Sequence, residues 1–484
     1  MSLFDSKHLA ARAQGHWWRG SPVDPITGFS IDTRTLQPGD LFVAISGGER
    51  DGHDFLRMAL SAGAAGAIVE RRFENINLPQ LLVRNSISAL QDVARWHREN
   101  FPGKVIGITG SNGKTTTKDL LHCLLGKDEV LATEGNLNNQ IGLPLSVLKL
   151  DAAKHRRGVF ETGISKPGDM APLAAILQPD GVIATNICPA HLEGLKTVER
   201  VAAEKSVLPA ALRTGGWCVQ PSDLLQYPGF KFFPSRHQII LHPEEASPSL
   251  TLPSIDSGKG QNRAVWGYRM EYSDNQKTII HLKLPNGEIE SYQAGPLSRG
   301  VTSCVALALI ACRQEGVSPI EARERLAGWK GSKDRTVIFE SNGKWVYWDA
   351  YNANPKSMLD SLEAFDRFAP KGPRLYLLGS MSELGEKASW HHFIVGQKIR
   401  LKKEDMLIAL GVNAQDYEEG MNSHFDESPG KVLVNPEAFD LKSTLSSFKG
   451  SVFVKGSRSQ KLERWIAPPS PSKIPKVRED AIPC

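Results

Sequence analysis

The stretch KVIGITGSNGKTTTKDLL, residues 104–121, holds turn formers, one lysine and a run of threonines that together could do phosphate chemistry. An apolar run ends at Thr109, Gly110, Ser111, Asn112 and Gly113 predict a tight turn, and a helix is expected to open near Lys114. A helix that starts this way points unpaired backbone N–H groups, and the positive end of its dipole, at whatever anion sits in the turn. Lys114 can reach phosphate oxygens and the Thr115 hydroxyl can ligate Mg²⁺, with Thr116 beside it. The spacing departs from the usual G-x-x-x-x-G-K-[ST] loop, because Ile108 stands where its first glycine belongs. The loop is shortened. An ordinary strand–turn–helix with a surface lysine is the bland alternative, and G-K-T-T-T directly after a strand argues against it.

Such a loop needs oxygen ligands for its metal. GVFETG ends an apolar run on Glu161, and GVIATNICPAHLEG ends another near Asn186 and carries His191 just beyond. Both positions are expected at the carboxyl ends of parallel strands, where α/β proteins bind ligands. A lone glutamate there is more often a solvated residue or a cap, and a lone histidine more often structural. Their recurrence beside a phosphate loop favours function.

The elements that must hold these residues follow from the pattern of apolar runs. Residues 28–70 read as short strands and a helix, and ENFPGK near residue 100 as a linker. From 104 onward, apolar runs alternate with helical stretches, as in a mainly parallel α/β sheet. Residues 223–293 read as a β-rich elaboration, and VALALIACRQEG as a helix after it. A third alternating block begins near 331, with strands at KWVYWDA, RLYLLGS, MLIAL, KVLV and SVFVKGS. The Pro-rich stretch from about 467 is expected to be a poorly ordered tail.

Composition narrows the class. The chain has 484 residues, 40% hydrophobic and 23% charged, enough for two to four cores. Its net charge of +5 comes without basic blocks, which disfavours extended nucleic-acid binding. The cysteines (Cys123, Cys188, Cys218, Cys304, Cys312, Cys484) form no C-x-x-C pair, so neither a zinc site nor a disulfide framework is indicated. The first twenty residues lack the apolar core of a signal peptide, and no run reaches membrane-spanning length. A soluble, cytoplasmic protein without membrane insertion is expected.

Six stretches occur in order: TGSNGKTT, TEGNLNNQIGLPLSVL, ETGISKPGDMAPLAAILQPDGVIATNICPAHLEGL, DAYNANPKSM, LGSMSELGE and VKGSRSQKLE. Together they resemble the Mur ligases of bacterial wall synthesis, over roughly residues 28–465. The shortened loop is the form this family uses. YNANP at 351–355 resembles the branch that joins D-Ala-D-Ala to UDP-MurNAc-tripeptide. The branch that adds the third peptide residue normally carries D-Y-A-H-T-P and, in one subclass, D-N-P-R, and neither is present.

The resemblance implies an α/β fold in three domains. Residues 1–100 would form a small α/β UDP-precursor-binding domain, 101–330 a central parallel-sheet ATPase domain, and 331–484 a C-terminal Rossmann-like domain. It implies ATP and Mg²⁺ as cofactors, the UDP-tripeptide and D-Ala-D-Ala as substrates, a monomer, and hinges near residues 100 and 331. Catalysis would rest on Lys114, His191 and Lys205. The loop residues 110–116, Arg335 and Asp349 would hold ATP, and Thr115, Glu161, His191 and Lys205 the metal. Lys205 matches a lysine that is carbamylated in several members, although a solvated helix lysine is the plain alternative. Asp32, Thr33 and Arg34 would meet the UDP end. Asn138, Asn139, Asn352 and Asn354 are further substrate candidates, although loop asparagines usually just shape turns.

Two departures stand out. Arg299, Gly300 and Ser303 replace an expected H-N-x-x-N near the adenine, and Ser380 replaces an aspartate. They open a rival reading, a non-catalytic relative that binds precursor without turnover. The intact charged residues at 114, 161, 191 and 205 argue against it. A different amide ligase of the superfamily, such as a folylpolyglutamate synthase, does not fit the N-terminal segment. A general NTPase or kinase does not fit the later stretches.

Overall fold

A computed structural model describes residues 4–466 except 24, 48–49, 232–236, 245–261, 274–276, 333–334 and 424–429. The expected Pro-rich tail from about 467 lies outside the described residues. Three large sheets follow one another along the chain.

The first is five-stranded, in the order His16–Trp18, Gln80–Leu82, Gly66–Val69, Asp40–Val43, Gly28–Ser30. All its pairings are parallel except that of the first strand. The helix Ser86–Glu99, capped by the Asn85 side chain, then leads into the second sheet.

That second sheet carries the phosphate loop. Its nine strands run Ile289–Ala294, Thr278–Lys283, Asn262–Tyr272, His237–Pro243, Trp217–Pro221, Gly181–Ala184, Lys104–Thr109, Arg157–Glu161, Val130–Ala132. The segment read as a β-rich elaboration extends this sheet. His237–Pro243 and Asn262–Tyr272 continue the parallel run, and only the last two strands turn antiparallel. Lys104–Thr109 is buried on both faces after its first residue, which explains why KVIGIT is continuously apolar rather than alternating.

The third sheet is six-stranded, in the order Val337–Ser341, Lys344–Asp349, Ser451–Lys455, Arg374–Gly379, Met406–Leu410, Lys431–Val434. Its edge strand Val337–Ser341 pairs antiparallel and the rest are parallel. The helix Pro355–Phe368 packs on it, started by an Asn354–Pro355–x–Ser357 capping box.

The two junctions between these units differ. Around residue 100 one apolar core runs through from Phe4, Leu9 and Leu90 to Leu143, Leu173 and Leu177. Arg98 is fully buried there, bonded to the Leu177 and Gln178 carbonyls and to Asp180 at 2.7 Å. The expected hinge near 100 is therefore a sealed joint, because bending it would expose apolar surface and a buried cation. The junction beyond 331 is spanned mostly by polar side chains instead, many of which belong to the site.

Candidate active site

Sheet order puts the site at one place. Lys104–Thr109 lies between the strand ending in Glu161 and the strand Gly181–Ala184 that leads to His191. The crossovers on its two sides run in opposite directions along the sheet, so a crevice opens at its carboxyl end. Gly110 and Gly113 take φ of +143° and +79°, conformations that side chains resist. A Cβ on Gly110 would also overlap the Thr185 hydroxyl. The turn is fastened by Ser111 N to Asn186 O at 2.9 Å and by Asn112 N to Asn186 Oδ1 at 3.0 Å. The helix Lys114–Leu124 then starts on Gly113 with no side-chain cap. Its first N–H groups are left for a ligand.

Lys114 folds back so that its Nζ donates to Gly110 O at 2.8 Å. Desolvation pushes its ammonium below the usual lysine range, opposed by the nearby Glu161 charge. Thr115 Oγ1 donates to Glu161 Oε2 at 3.1 Å. Glu161 is 1% exposed, and its other oxygen, Oε1, is buried with no hydrogen-bond partner. An orphaned carboxylate oxygen beside a threonine hydroxyl suits a hard divalent cation such as Mg²⁺. Among the described residues no group of three or more His, Cys, Asp or Glu could hold a metal unaided. Mg²⁺ does not demand such a cage, since it is commonly held by one or two carboxylates plus substrate phosphates.

Lys205 lies on the helix Val198–Ala210, which Thr197 caps. It is 0% exposed and its Nζ has no partner. Burial, and then repulsion from Lys114, push its ammonium well below the usual range. It does not line the cavity itself. An unpaired buried ammonium costs too much to be a solvated helix lysine, so the plain alternative is excluded.

The third unit closes the cavity, whose volume is about 650 Å³. Asp349 and Lys455 end adjacent strands in register and form a buried ion pair, with Ser361 Oγ donating to Asp349 at 2.7 Å. The Arg335 guanidinium stacks on Tyr351 at 4.1 Å, with its buried Nε unpartnered. Asn354 and Asn112 exchange side-chain amide bonds across the junction. Asn354 thus has a cap and a contact between units to explain it, besides lining the cavity. Asn352 Oδ1 accepts from Ala353 N at 2.9 Å. His191 Nδ1 meets Glu383 Oε2 at 2.5 Å, and this bond holds the Glu383 carboxyl below its usual range.

The cavity brings together Ser111 to Thr116, Asn138, Asn139, Glu161, His191, Arg335, Asp349, Asn352 and Asn354. Asn139 also shapes its loop, accepting from Ile141 N and Gly142 N. Asp32, Thr33 and Arg34 do not line it. They form a turn in the first unit, where Arg34 holds the Asp32 carboxyl down to about 2. Among the substituted positions, Arg299, Gly300 and Ser303 line the cavity. Arg299 pairs with Glu363 at 2.9 Å, and Gly300 N donates to Asp360 at 2.8 Å. Ser380 is buried in the third unit, where its Oγ donates to Leu410 O and accepts from Asn413 N. Lys455, Glu383 and Asp360 were not singled out from sequence. The first two lie inside VKGSRSQKLE and MSELGE, and only their partners across the fold reveal them.

Three descriptions of one family fit the chain: "Mur ligase family, catalytic domain" at residues 25–99, "Mur ligase middle domain" at 108–231, and "Mur ligase, glutamate ligase domain" at 334–458. The chain belongs to the Mur ligase family. It is 29% identical over 450 residues to the UDP-N-acetylmuramoyl-tripeptide–D-alanyl-D-alanine ligase of Bacillus subtilis, covering 91% of this chain and 92% of that one. The structure of the MurF ligase of Thermotoga maritima in complex with ADP is similar at 28% identity and a TM-score of 0.74, covering 90% of this chain and 95% of that one. A MurF of Acinetobacter baumannii shares the fold at 24% identity and a TM-score of 0.80, over 96% and 98% of the two chains.

Proposed function

We propose that this Mur ligase joins D-Ala-D-Ala to UDP-MurNAc-tripeptide in peptidoglycan precursor synthesis, cleaving ATP to ADP and phosphate. One observation carries the reading to the site. The unpartnered Glu161 oxygen, Thr115 and the phosphate loop face the same cavity as Arg335, Asp349 and Asn354 from the third unit. The relatives named above, matched over about nine-tenths of their length, support the choice of substrates.

The chemistry proceeds in two transfers. The tripeptide carboxylate attacks the γ-phosphorus of ATP, the β–γ bridging bond breaks, and ADP leaves. The amine of D-Ala-D-Ala then attacks the acyl-phosphate carbonyl, loses a proton, and phosphate departs. Negative charge moves at each stage, so fixed cations must surround it. Lys114 and the N–H groups of the loop hold the β- and γ-phosphates, and Arg335 meets the γ-phosphate from the other side. Asp349 serves the ribose. Thr115 and Glu161 would hold one Mg²⁺ and His191, with Lys205 as its carbamate, a second. Such ions supply charge neutralisation between phosphate and carboxylate.

Lys205 reaches that role by adding its uncharged amine to CO₂ and releasing a proton. Asp32, Thr33 and Arg34 serve the UDP end in the first unit, and Asn138, Asn139 and Asn352 the peptide. Residues 1–100, 101–330 and 331–484 are then the precursor, ATPase and C-terminal domains. The protein acts as a cytoplasmic monomer. Among the described residues no helix is long and apolar enough to cross a membrane.

ADP release with tripeptide precursor and D-Ala-D-Ala tests the reading. It should require both the tripeptide precursor and D-Ala-D-Ala. No release with both present would leave the non-catalytic relative as the better account.

A further inference from the structure

His191 and Glu383 are 192 residues apart in sequence and belong to different units, yet their side chains meet at 2.5 Å. Glu383 follows the strand Arg374–Gly379, and His191 starts the short helix Leu192–Leu195. Both take left-handed backbone conformations, φ of +55° for His191 and +63° for Glu383. A second contact joins the same two loops, Glu193 N to Glu383 O at 3.3 Å. A carboxylate can only accept, so the proton of a neutral His191 ring must sit on Nδ1. Nε2 then keeps its lone pair, on a residue that lines the cavity.

We propose that Glu383 is a positioning residue that makes His191 a competent Nε2 ligand, and does so only when the C-terminal domain is docked. The role of His191 as a ligand rests on the ligase reading, whereas the contact and the tautomer do not. A carboxylate behind a ligating imidazole fixes ring orientation and tautomer and raises its basicity. In a closed arrangement the ring is ready. In an open one the acceptor is gone, and the ring is free to rotate and to carry its proton on Nε2 instead. Metal binding at His191 is thereby tied to closure, so the carboxylate is activated only after both domains have engaged.

The test compares Glu383→Ala with Glu383→Gln, whose amide oxygen still accepts from Nδ1. Two-bond ¹H–¹⁵N correlation spectra of the metal-free protein, with precursor and a non-hydrolysable ATP analogue present to favour docking, report the tautomer at about pH 8.5, above the range of an ordinary imidazole. The His191 signals are identified by their loss in His191→Gln. Wild type and Glu383→Gln should show Nδ1–H, and Glu383→Ala should shift to Nε2–H. With a non-hydrolysable ATP analogue present, the Mn²⁺ site that is lost in His191→Gln should bind at least about tenfold more weakly in Glu383→Ala, and less than about threefold more weakly in Glu383→Gln. The same tautomer in wild type and Glu383→Ala, or unchanged Mn²⁺ affinity in Glu383→Ala, overturns the proposal. Wild-type ADP release decides the ligase reading separately, because the tautomer needs no turnover.

Discussion

The joint near residue 100 and the joint beyond 331 are built from different materials. The first is a continuous apolar core with a buried Arg98–Asp180 pair. The second is mainly a set of polar pairs, Asn112–Asn354, His191–Glu383, Arg299–Glu363, and Asp360 with Ser298 and Gly300, with Tyr272 edge-on to Phe368 as an added apolar contact. Water can replace the partners in each of these polar pairs when they separate, whereas it cannot replace an apolar core. Separation is therefore cheap at the second joint and costly at the first. The second joint is therefore the one expected to open and close, and the first the one expected to hold.

The largest effect should come from breaking the sealed joint. Arg98→Ala takes the guanidinium from Asp180, which keeps its bond from Val105 N, and from the Leu177, Phe101 and Gln178 carbonyls, and should cost about 3 kcal/mol in urea unfolding, as buried acceptors left unpaired do. Asn354→Ala at the polar joint removes a helix cap and should cost only about 1 kcal/mol. Equal losses would erase the distinction. Next comes Lys114→Ala, which should cut ligation by about 100-fold or more while leaving the unfolding midpoint in place. Near wild-type turnover by that folded variant would remove the phosphate loop from the mechanism.

Distances sharpen the comparison further. Labels at the exposed positions Val412 and Lys154 report the second joint, and labels at Met58 and Lys154 the first. Adding precursor with a non-hydrolysable ATP analogue should narrow the Val412–Lys154 distribution and leave Met58–Lys154 unchanged. A ligand-dependent change in the second pair would restore a hinge near 100.

The same contrast explains what was legible in the sequence. The strands around the loop were readable because burial on both faces writes a continuous apolar run, as in KVIGIT and RLYLLGS. The loop was readable because left-handed positions demand glycine at 110 and 113. The sealed joint was not. Arg98 looks like any helix arginine until Leu177, Gln178 and Asp180 close around it. Glu383 was equally silent, since its meaning lies in His191 on another unit. The nine-stranded sheet hid its extension because strand pairing between His237–Pro243 and Asn262–Tyr272 leaves no periodic trace in the residues between.

The smallest effect belongs to the substituted adenine edge. Gly300 and Ser303 stand where asparagines were expected, and the Gly300 N–H is already taken by Asp360. A Cβ at 300 would lie 2.7 Å from Asp360 Oδ2, a carboxylate held by Ser298 and Gly300, so Gly300→Asn should loosen domain docking rather than restore a base contact. Without the two carboxamides, the preference for ATP over GTP should fall below about 100-fold, against about 10⁴ for a site built to bond the distinguishing group. Arg299→Ala should raise the KM for ATP modestly, because the cation is shared with Glu363. Competition assays with ATP, GTP and CTP measure all three. Strict ATP use would instead move base reading to Asp223, which lines the cavity with a buried, unpartnered Oδ1. A carboxylate there accepts from the adenine amino group and repels the guanine carbonyl, so Asp223→Ala should then lose the selectivity that the substituted edge does not supply.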